Sequence, residues 1–244
     1  MYICKDNSIN LSITMINIFS IITETIFPHY CYGCHDIMVN YEKVLCSKCF
    51  VELNRSYSIY DSNNDLSNRV SIYFPVKNAV SLLNYNKECL ASNLIHSFKY
   101  REDIIIGKYL TKILCNELKD KEWIKEIDYI IPLPLHWIRT LKRGFNQSEV
   151  IAKTVSRYFS IEMKTNCIRR IRNNKSQTSM SKLQRWSNVE NIFKLKNSAI
   201  LEGKHILLVD DLVTTGASLN SCIKTLSKVK DINISVLILG QTSH

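Results

Sequence analysis

Glycine and proline are scarce in this chain, with six glycines and four prolines among 244 residues. Such low contents exclude a collagen-like chain and a linker-rich chain. No two glycines have the spacing of GxGxxG or of GxxxxGK[ST], which excludes a dinucleotide-binding fingerprint and a Walker A phosphate loop. Any phosphate site in this protein must therefore be built in another way.

The chain also lacks a long uninterrupted apolar run. Residues 11–27 are rich in apolar side chains, but Asn17, Thr23 and Glu24 interrupt them, and the segment has no basic start. A membrane-spanning helix needs about 20 consecutive apolar residues, and a signal peptide needs a basic start. The sequence therefore predicts no membrane span, a helix over residues 1–30 that ends before Pro28, and a cytoplasmic location.

Cysteine, in contrast, is plentiful, and the odd total of nine argues against a secreted disulfide framework. Four of the cysteines form two CxxC pairs: Cys31, Cys34, Cys46 and Cys49. Because four thiolates complete the tetrahedral shell of a structural zinc ion, the pattern predicts a Zn²⁺ module. Four reduced thiols without metal remain an alternative, and His29 or His35 could replace one ligand. A redox role is disfavoured, because no thioredoxin-like strand and helix surround either pair.

Short apolar runs alternate with helical patterns along the rest of the chain. Strands are predicted at 79–85, 129–131, 206–209 and 234–239, and helices at 89–118, 148–159 and 215–229. This alternation predicts an α/β fold with a mostly parallel sheet flanked by helices. The segment 54–71 is rich in Ser, Asn and Asp, and it is predicted as a linker between an N-terminal module, 1–53, and a main domain, 72–244.

The most informative segment, 207–218, has the sequence LLVDDLVTTGAS. A buried strand brings Asp210 and Asp211 to its carboxyl edge, and a loop of hydroxyl-bearing residues and a glycine then opens a helix. Carboxylates accept hydrogen bonds from sugar hydroxyls, and free N–H groups at a helix N-terminus bind phosphate. The pattern therefore predicts binding of ribose and phosphate. The alternative is a plain connection in which one aspartate caps the helix, but it does not explain the unbroken order of these residues.

The same segment resembles the phosphoribosyl-diphosphate motif of type I phosphoribosyltransferases, and other motifs narrow the resemblance to the ComF family of competence-associated proteins. Those motifs are Phe27-Pro28 leading into Cys31-x2-Cys34, Ile95–Tyr100, Pro132–His136, Arg143–Gln147, and the series Arg172, Gln177, Leu183, Arg185, Asn188 and Phe193. The resemblance covers roughly residues 16–240. Residues 1–14 precede the family's usual beginning, so Met15 is an alternative start and no function is assigned before it.

The resemblance implies a type I phosphoribosyltransferase fold with a small N-terminal zinc module, and it assigns roles to site residues. It implies that Asp210 and Asp211 bind the ribose 2′- and 3′-hydroxyls, and that Thr214, Thr215, Gly216, Ala217 and Ser218 hold the 5′-phosphate. The loop Leu133, Pro134 and Leu135 would face the pyrophosphate and its Mg²⁺. Arg143, and Arg185 on a mobile segment 170–190, are candidates for stabilising the leaving pyrophosphate.

Positive charge is concentrated in the middle of the chain. Residues 137–196 hold fourteen Lys and Arg but three Asp and Glu, in a chain of net charge +10. Aromatic residues interleave with these charges, which suits a pyrophosphate substrate and also a single-stranded nucleic acid. A solvated basic surface over core aromatics is the alternative. The candidate nucleic-acid contacts are Arg169, Arg170, Arg172, Lys175 and Lys182.

Three functions remain open at this point. The favoured one is an enzyme, a pentosyl-transferring glycosyltransferase with phosphoribosyl diphosphate as donor and an unknown acceptor, acting in DNA uptake during competence. The second is a non-enzymatic single-stranded-DNA-binding protein or adaptor that keeps the fold, with the zinc module docking a partner such as a competence helicase-like protein. The third is a regulator switched by a phosphoribosyl ligand. The intact run from Asp210 to Gly216 favours a working ligand site.

Overall fold

The computed structural model describes residues 28–39, 42–61, 63–86, 89–100, 103–172 and 192–242. The chain divides into two compact units, Met1–Glu52 and Leu53–His244. The helix that the sequence predicts before Pro28 lies outside the described residues. Each unit is therefore described by itself over the ranges given above.

The smaller unit consists of turns around the cysteine pairs and one short helix, α1, Ser47–Val51. An antiparallel bridge between Tyr30 and Ile37 closes the loop that carries the first pair. Cys46 caps α1, because its side chain accepts a hydrogen bond from the backbone N–H of Cys49. The first cysteine pair thus lies in a turn, and the second lies at the start of α1, with Cys46 as its cap and Cys49 within it.

The larger unit is built on a five-stranded sheet in the order β1-β7-β6-β2-β3. These strands are β1, Ala79–Tyr85, β2, Tyr129–Pro132, β3, Glu162–Met163, β6, His205–Val213, and β7, Asn233–Thr242. All of their pairings are parallel. Parallel strands are covered on both faces, which explains why the central strands appear in the sequence as continuous apolar runs. Two further strands, β4, Ile168–Arg170, and β5, Phe193–Leu195, form a separate antiparallel pair.

Helices flank the sheet, as predicted. They are α2, Asp65–Val70, α3, Leu90–Tyr100, α4, Ile104–Leu118, α5, Glu122–Lys125, α6, Trp137–Arg143, α7, Gln147–Phe159, and α8, Ala217–Leu226, with a 3₁₀ turn at Ala199–Leu201. Within the described ranges, no helix combines the length and the apolar character needed to cross a bilayer. The predicted fold class is confirmed; β1 has the predicted bounds, and β2, β6 and β7 extend beyond the predicted runs.

The single helix predicted over 89–118 is two helices, α3 and α4. Gly107 in α4 lies against the fully buried ring of Phe98 in α3, so close that a Cβ on Gly107 would lie 2.4 Å from the ring atoms Cε2 and Cζ. The chain must turn between the two helices to bring these residues face to face. The apolar periodicity continues through the turn and therefore conceals it.

The stretch 54–71, predicted as a linker, is a packed part of the larger unit. It contains α2, and Leu66 and Val70 of this helix are fully buried in the main core. Asn64 fastens the segment to the sheet, because its side-chain amide donates to the carbonyl oxygen of Ala79 at 2.9 Å. The stretch 54–71 is therefore not a linker but a part of the larger unit, and the division between the units falls after Glu52.

We expect Gly107→Ala to destabilise the larger unit. The new methyl group would overlap the Phe98 ring, and overpacking a core costs about 1–3 kcal/mol, more than the ~1 kcal/mol that alanine gains in a helix. Urea unfolding would measure the loss, with the exposed neighbour Lys108→Ala as the control. Equal unfolding free energies for the two variants would contradict this account of the α3–α4 contact.

Candidate functional site

A cavity of about 190 Å³ opens where β2 and β6 end and α8 begins. It brings together the predicted sugar, phosphate and pyrophosphate elements: Asp210, Asp211, the run Thr214–Ser218, the loop Leu133–Leu135, and Arg143. Ligands of open α/β sheets bind at this carboxyl edge of the strands. The residues that the sequence singled out in these segments therefore share one cavity, which we call the carboxylate cavity.

Asp210 lies within β6, which continues to Val213, and is not in the loop after the strand. Its Oδ1 accepts hydrogen bonds from the Ser148 hydroxyl at 2.9 Å and from the backbone N–H of Asp211 at 2.8 Å. Burial and the neighbouring Asp211 carboxylate raise the pKa of Asp210 to about 7, although these donors and Lys99 oppose the rise. The strand thus holds a carboxyl group that changes its charge near neutral pH.

The raised pKa of Asp210 predicts that, without ligand, the wild type and the variant Asp210→Asn differ in stability by an amount that depends on pH. Between the usual value of 3.8 and about 7, the folded state holds a proton that the unfolded chain has lost. The wild type therefore loses stability as pH rises through this window, and Asp210→Asn does not share that loss. We expect the melting-temperature difference in favour of Asp210→Asn to be larger at pH 8 than at pH 5.5. An equal difference at both pH values would contradict this.

Asp211 has a different environment. Lys99 of α3 places its Nζ 3.2 Å from Asp211 Oδ2, and both side chains are largely buried. This ion pair lacks hydrogen-bond geometry, and Oδ2 accepts no hydrogen bond from any residue that the structure describes. The Lys99 ammonium therefore compensates the charge of this buried oxygen and holds the Asp211 carboxylate at the wall of the cavity.

The turn before α8 is fixed by Gly216 together with two residues that the sequence did not single out, Asn220 and Arg69. Gly216 has φ +74°, and a Cβ there would lie 3.1 Å from Asn220 Nδ2. Asn220 Nδ2 donates to the Gly216 carbonyl at 3.1 Å, and Arg69 of α2 donates to the Thr214 carbonyl at 3.2 Å. Among the described residues, no side chain caps α8, so its first N–H groups remain available for an anion.

The motif Arg143–Gln147 forms the frame of the neighbouring loop. Asn146 caps α7 and donates from Nδ2 to the carbonyl of Leu133 at 3.2 Å, which fixes the predicted pyrophosphate loop. Gln147 accepts from Arg143 Nη1 at 3.1 Å and donates to the Lys99 carbonyl at 3.3 Å. The motif therefore orients the cationic groups around the cavity.

The basic residues in and directly after β4 separate into two environments. Arg170 is half-buried and lines the carboxylate cavity together with Arg139. Burial and Arg139 lower the pKa of Arg170, while Asp210 opposes this shift. Arg169 and Arg172 are exposed, and the other predicted basic contacts, Lys175, Lys182 and Arg185, lie outside the described residues. Among the described members, the predicted nucleic-acid cluster is thus not one exposed face.

Lys99, Arg139 and Ser148 are polar cavity residues to which the sequence reasoning gave no role. Arg139 lies four positions before Arg143 in α6, a spacing that places both on one helix face and could have found it. Ser148 directly follows the Arg143–Gln147 motif, and Lys99 belongs to the motif Ile95–Tyr100. The contacts of Lys99 with Asp211 and of Ser148 with Asp210 join distant parts of the chain, which no local pattern shows.

The four paired cysteines also come together. Their Sγ atoms all lie within 4.8 Å of one another, and those of Cys34 and Cys46 are 3.7 Å apart. Backbone N–H groups of Gly33 and Cys46 donate to the Sγ of Cys31 at 3.3 and 3.2 Å. Burial raises the pKa of Cys31, but such N–H donors outweigh it and lower the value to about 7. The donor set suits a tetrahedral thiolate-bound metal ion.

Comparisons with known proteins agree with this geometry. The model of the phosphoribosyl transferase domain matches residues 146–241. Competence protein F of Haemophilus influenzae is 31% identical over 144 residues, 57% of this chain and 62% of that protein. The DNA utilization protein YhgH of Escherichia coli O157:H7 is 30% identical over 154 residues, 62% of this chain and 67% of that protein. The chain belongs to the ComF family.

A third ComF relative matches a larger share of this chain. Competence protein ComFC of Bacillus subtilis is 28% identical over 218 residues, 86% of this chain and 82% of that protein. The match to the Haemophilus protein, in contrast, spans less than two thirds of that relative's length. For this ComF protein, the phosphoribosyltransferase-type fold expected from the sequence is confirmed by the family model and the parallel sheet.

Proposed function

We propose that the carboxylate cavity binds phosphoribosyl diphosphate and that the protein uses it as a phosphoribosyltransferase in DNA uptake or processing. The observation that carries this proposal is the single cavity in which Asp210, Asp211 and the start of α8 come together. The two carboxyl groups can accept hydrogen bonds from ribose hydroxyls, and a phosphate can bind to the amides of the helix.

Each part of phosphoribosyl diphosphate then has a matching part of the cavity. Asp210 and Asp211 accept from the ribose 2′- and 3′-hydroxyls, and Thr214–Ser218 bind the 5′-phosphate through hydroxyl and amide groups. Arg139, Arg143 and Arg170 line the cavity near the loop Leu133–Leu135 and stabilise the negative charge of the pyrophosphate as it leaves. Because no side-chain nucleophile is assigned, positioning and charge stabilisation carry the reaction.

The cavity also fits Mg²⁺ in its donor chemistry. Carboxylate oxygens are ligands that Mg²⁺ prefers, usually through water and together with substrate phosphates, and Asp210 and Asp211 offer such oxygens. The ion, when bound, neutralises charge on the leaving pyrophosphate. We likewise propose that Cys31, Cys34, Cys46 and Cys49 hold one structural Zn²⁺, supported by their clustered Sγ atoms.

The role in DNA uptake and the cytoplasmic location are proposed from the relatives and from chemistry. One relative is named a competence protein and another a DNA utilization protein. The four clustered thiols suit a reducing compartment. The exposed Arg169 and Arg172 of this chain offer charges that a single strand could contact, which supports the second candidate, a single-stranded-DNA-binding adaptor with a competence helicase-like partner.

Calorimetry separates the candidates. The protein is titrated with phosphoribosyl diphosphate and Mg²⁺, with ribose 5-phosphate as the matched ligand that lacks pyrophosphate, each with and without oligothymidine. The proposed function predicts saturable binding of the diphosphate that is tighter than binding of ribose 5-phosphate and does not require DNA. Binding of oligothymidine alone, with no heat from the diphosphate, would favour the adaptor.

A further inference from the structure

The four paired cysteines differ in their access to solvent. Cys31 is 0% exposed and Cys49 is 3% exposed, whereas Cys34 is exposed and Cys46 is partly exposed. A zinc ion held by the quartet therefore has two thiolates on its buried side and two on its solvent side. Oxidants reach a sulfur atom from solvent, so the two sides differ in their susceptibility. We call Cys34 and Cys46 the solvent-side pair.

The solvent-side pair takes one cysteine from each CxxC motif. The Sγ atoms of Cys34 and Cys46 are 3.7 Å apart, although the residues are separated by 12 positions in the chain. Cys34 lies in a turn and Cys46 directly precedes α1, so neither lies inside a helix or strand. The sulfur atoms of a disulfide bond are about 2.05 Å apart. Only a short approach of the two sulfur atoms therefore separates the pair from bonding distance.

Bound zinc keeps both sulfur atoms of this pair in the reactive ionised form, because a thiol that coordinates the ion is deprotonated. An accessible thiolate beside a second thiol is the arrangement of cysteines that react with peroxides, where the first is oxidised and the second resolves the product. A reaction between one cysteine of each motif differs from the thioredoxin-like exchange within one motif that the sequence disfavours.

We propose that Cys34 and Cys46 are an oxidation site at which hydrogen peroxide forms a disulfide bond and releases the zinc ion. The proposal rests on the zinc site proposed above. The Cys34 thiolate attacks one peroxide oxygen, which breaks the O–O bond and gives a sulfenic acid and hydroxide. The Cys46 thiolate then attacks that sulfur, forms the S–S bond and displaces a second hydroxide. The two sulfur atoms thus lose two electrons to peroxide, and two protons from solvent convert the hydroxides into water.

Oxidation of the solvent-side pair removes two of the four ligands of the ion. Cys31 and Cys49 alone do not complete a tetrahedral shell, so the ion leaves. Because the smaller unit has only a small core, we expect its described residues 28–52 to unfold when the ion is lost. Peroxide therefore unfolds this unit, and a thiol reductant together with Zn²⁺ restores it, since a disulfide is a reversible product.

Peroxide treatment of the zinc-loaded chain tests the site. A colorimetric chelator measures the zinc released, and mass spectrometry after alkylation of the free thiols identifies the first cross-link. We expect the loss of one zinc ion per chain together with a Cys34–Cys46 cross-link. We also expect the ion to bind again after treatment with dithiothreitol and Zn²⁺.

Two variants serve as comparisons. Cys34→His keeps four zinc ligands, because Cys₃His sites bind zinc, but it removes one of the two thiols that form the disulfide. We expect this variant to keep its zinc under the peroxide treatment that strips the wild type. Among the described cysteines outside the quartet, Cys89 alone is not buried, and we expect Cys89→Ser to lose zinc as the wild type does. If Cys34→His binds no zinc, the cross-link found in the wild type decides.

The outcomes separate this proposal from the zinc assignment. If the wild type holds zinc and peroxide releases none, or if the first cross-link joins other cysteines, the oxidation site is wrong and the zinc assignment stands. Zinc loss from Cys34→His as fast as from the wild type would also overturn the proposal. If the purified protein holds no zinc but peroxide still forms the Cys34–Cys46 cross-link, the oxidation site is supported and the zinc assignment fails.

Discussion

Replacing both cavity carboxylates, Asp210→Asn with Asp211→Asn, is expected to weaken binding of phosphoribosyl diphosphate at least a hundredfold without unfolding the protein. The amides keep the volume of the carboxylates but lose hydrogen bonds to charged acceptors, which are worth about 1.5–3 kcal/mol each. At position 210 the variant keeps the hydrogen bonds from the Ser148 hydroxyl and from the backbone N–H of residue 211, because an amide oxygen accepts both. Calorimetry measures the affinity, and circular dichroism checks the fold.

The exposed residue Asp231 offers a matched control. Asp231→Asn makes the same chemical change at a position with φ 53°, a conformation that asparagine tolerates. It should leave the affinity unchanged. If the double variant binds as tightly as the wild type, the assignment of the two aspartates to the ribose hydroxyls is wrong.

The second large effect concerns the four clustered cysteines. We expect one Zn²⁺ per wild-type chain, and we expect Cys46→Ser or chelation to unfold the described residues 28–52 while the larger unit stays folded. Structural zinc contributes ~10–16 kcal/mol of apparent binding energy in small fingers, far more than a unit of this size gains from its core. Elemental analysis counts the metal, and limited proteolysis locates the unfolded segment.

Cys89→Ser is the matched control for the zinc experiment. Cys89 lies outside the quartet, and its thiol contacts only the backbone of Asn86 among the partners described. This variant should keep full zinc content and the proteolysis pattern of the wild type. A freshly purified wild-type protein without stoichiometric metal would refute the zinc assignment.

The strands and the phosphate turn could be predicted because their signals are local. Parallel strands buried on both faces give continuous apolar runs, as at 206–209 and 234–239, and these lie in β6 and β7. The run from Asp210 to Ser218 is contiguous in the chain, so its residues reach one cavity whatever the rest of the topology does. The cysteine quartet likewise follows from two short spacings.

Contacts between distant segments could not be predicted in this way. Lys99 reaches Asp211 from α3, and Arg170 reaches the cavity from β4, so both depend on the packing of helices and strands that no local period encodes. The polar composition of 54–71 conceals Leu66 and Val70, which are buried in the core. The apolar period across 89–118 likewise conceals the turn that brings Gly107 onto Phe98.

The most direct test of the account is a crystal structure of the protein with phosphoribosyl diphosphate and Mg²⁺. The account predicts the ribose hydroxyls on the carboxylates of Asp210 and Asp211 and the 5′-phosphate on the backbone amides of Thr214–Ser218. It places the pyrophosphate between the loop Leu133–Leu135 and the arginines of the cavity. A structure in which the ligand occupies another surface, or in which the sugar does not contact either aspartate, would contradict it.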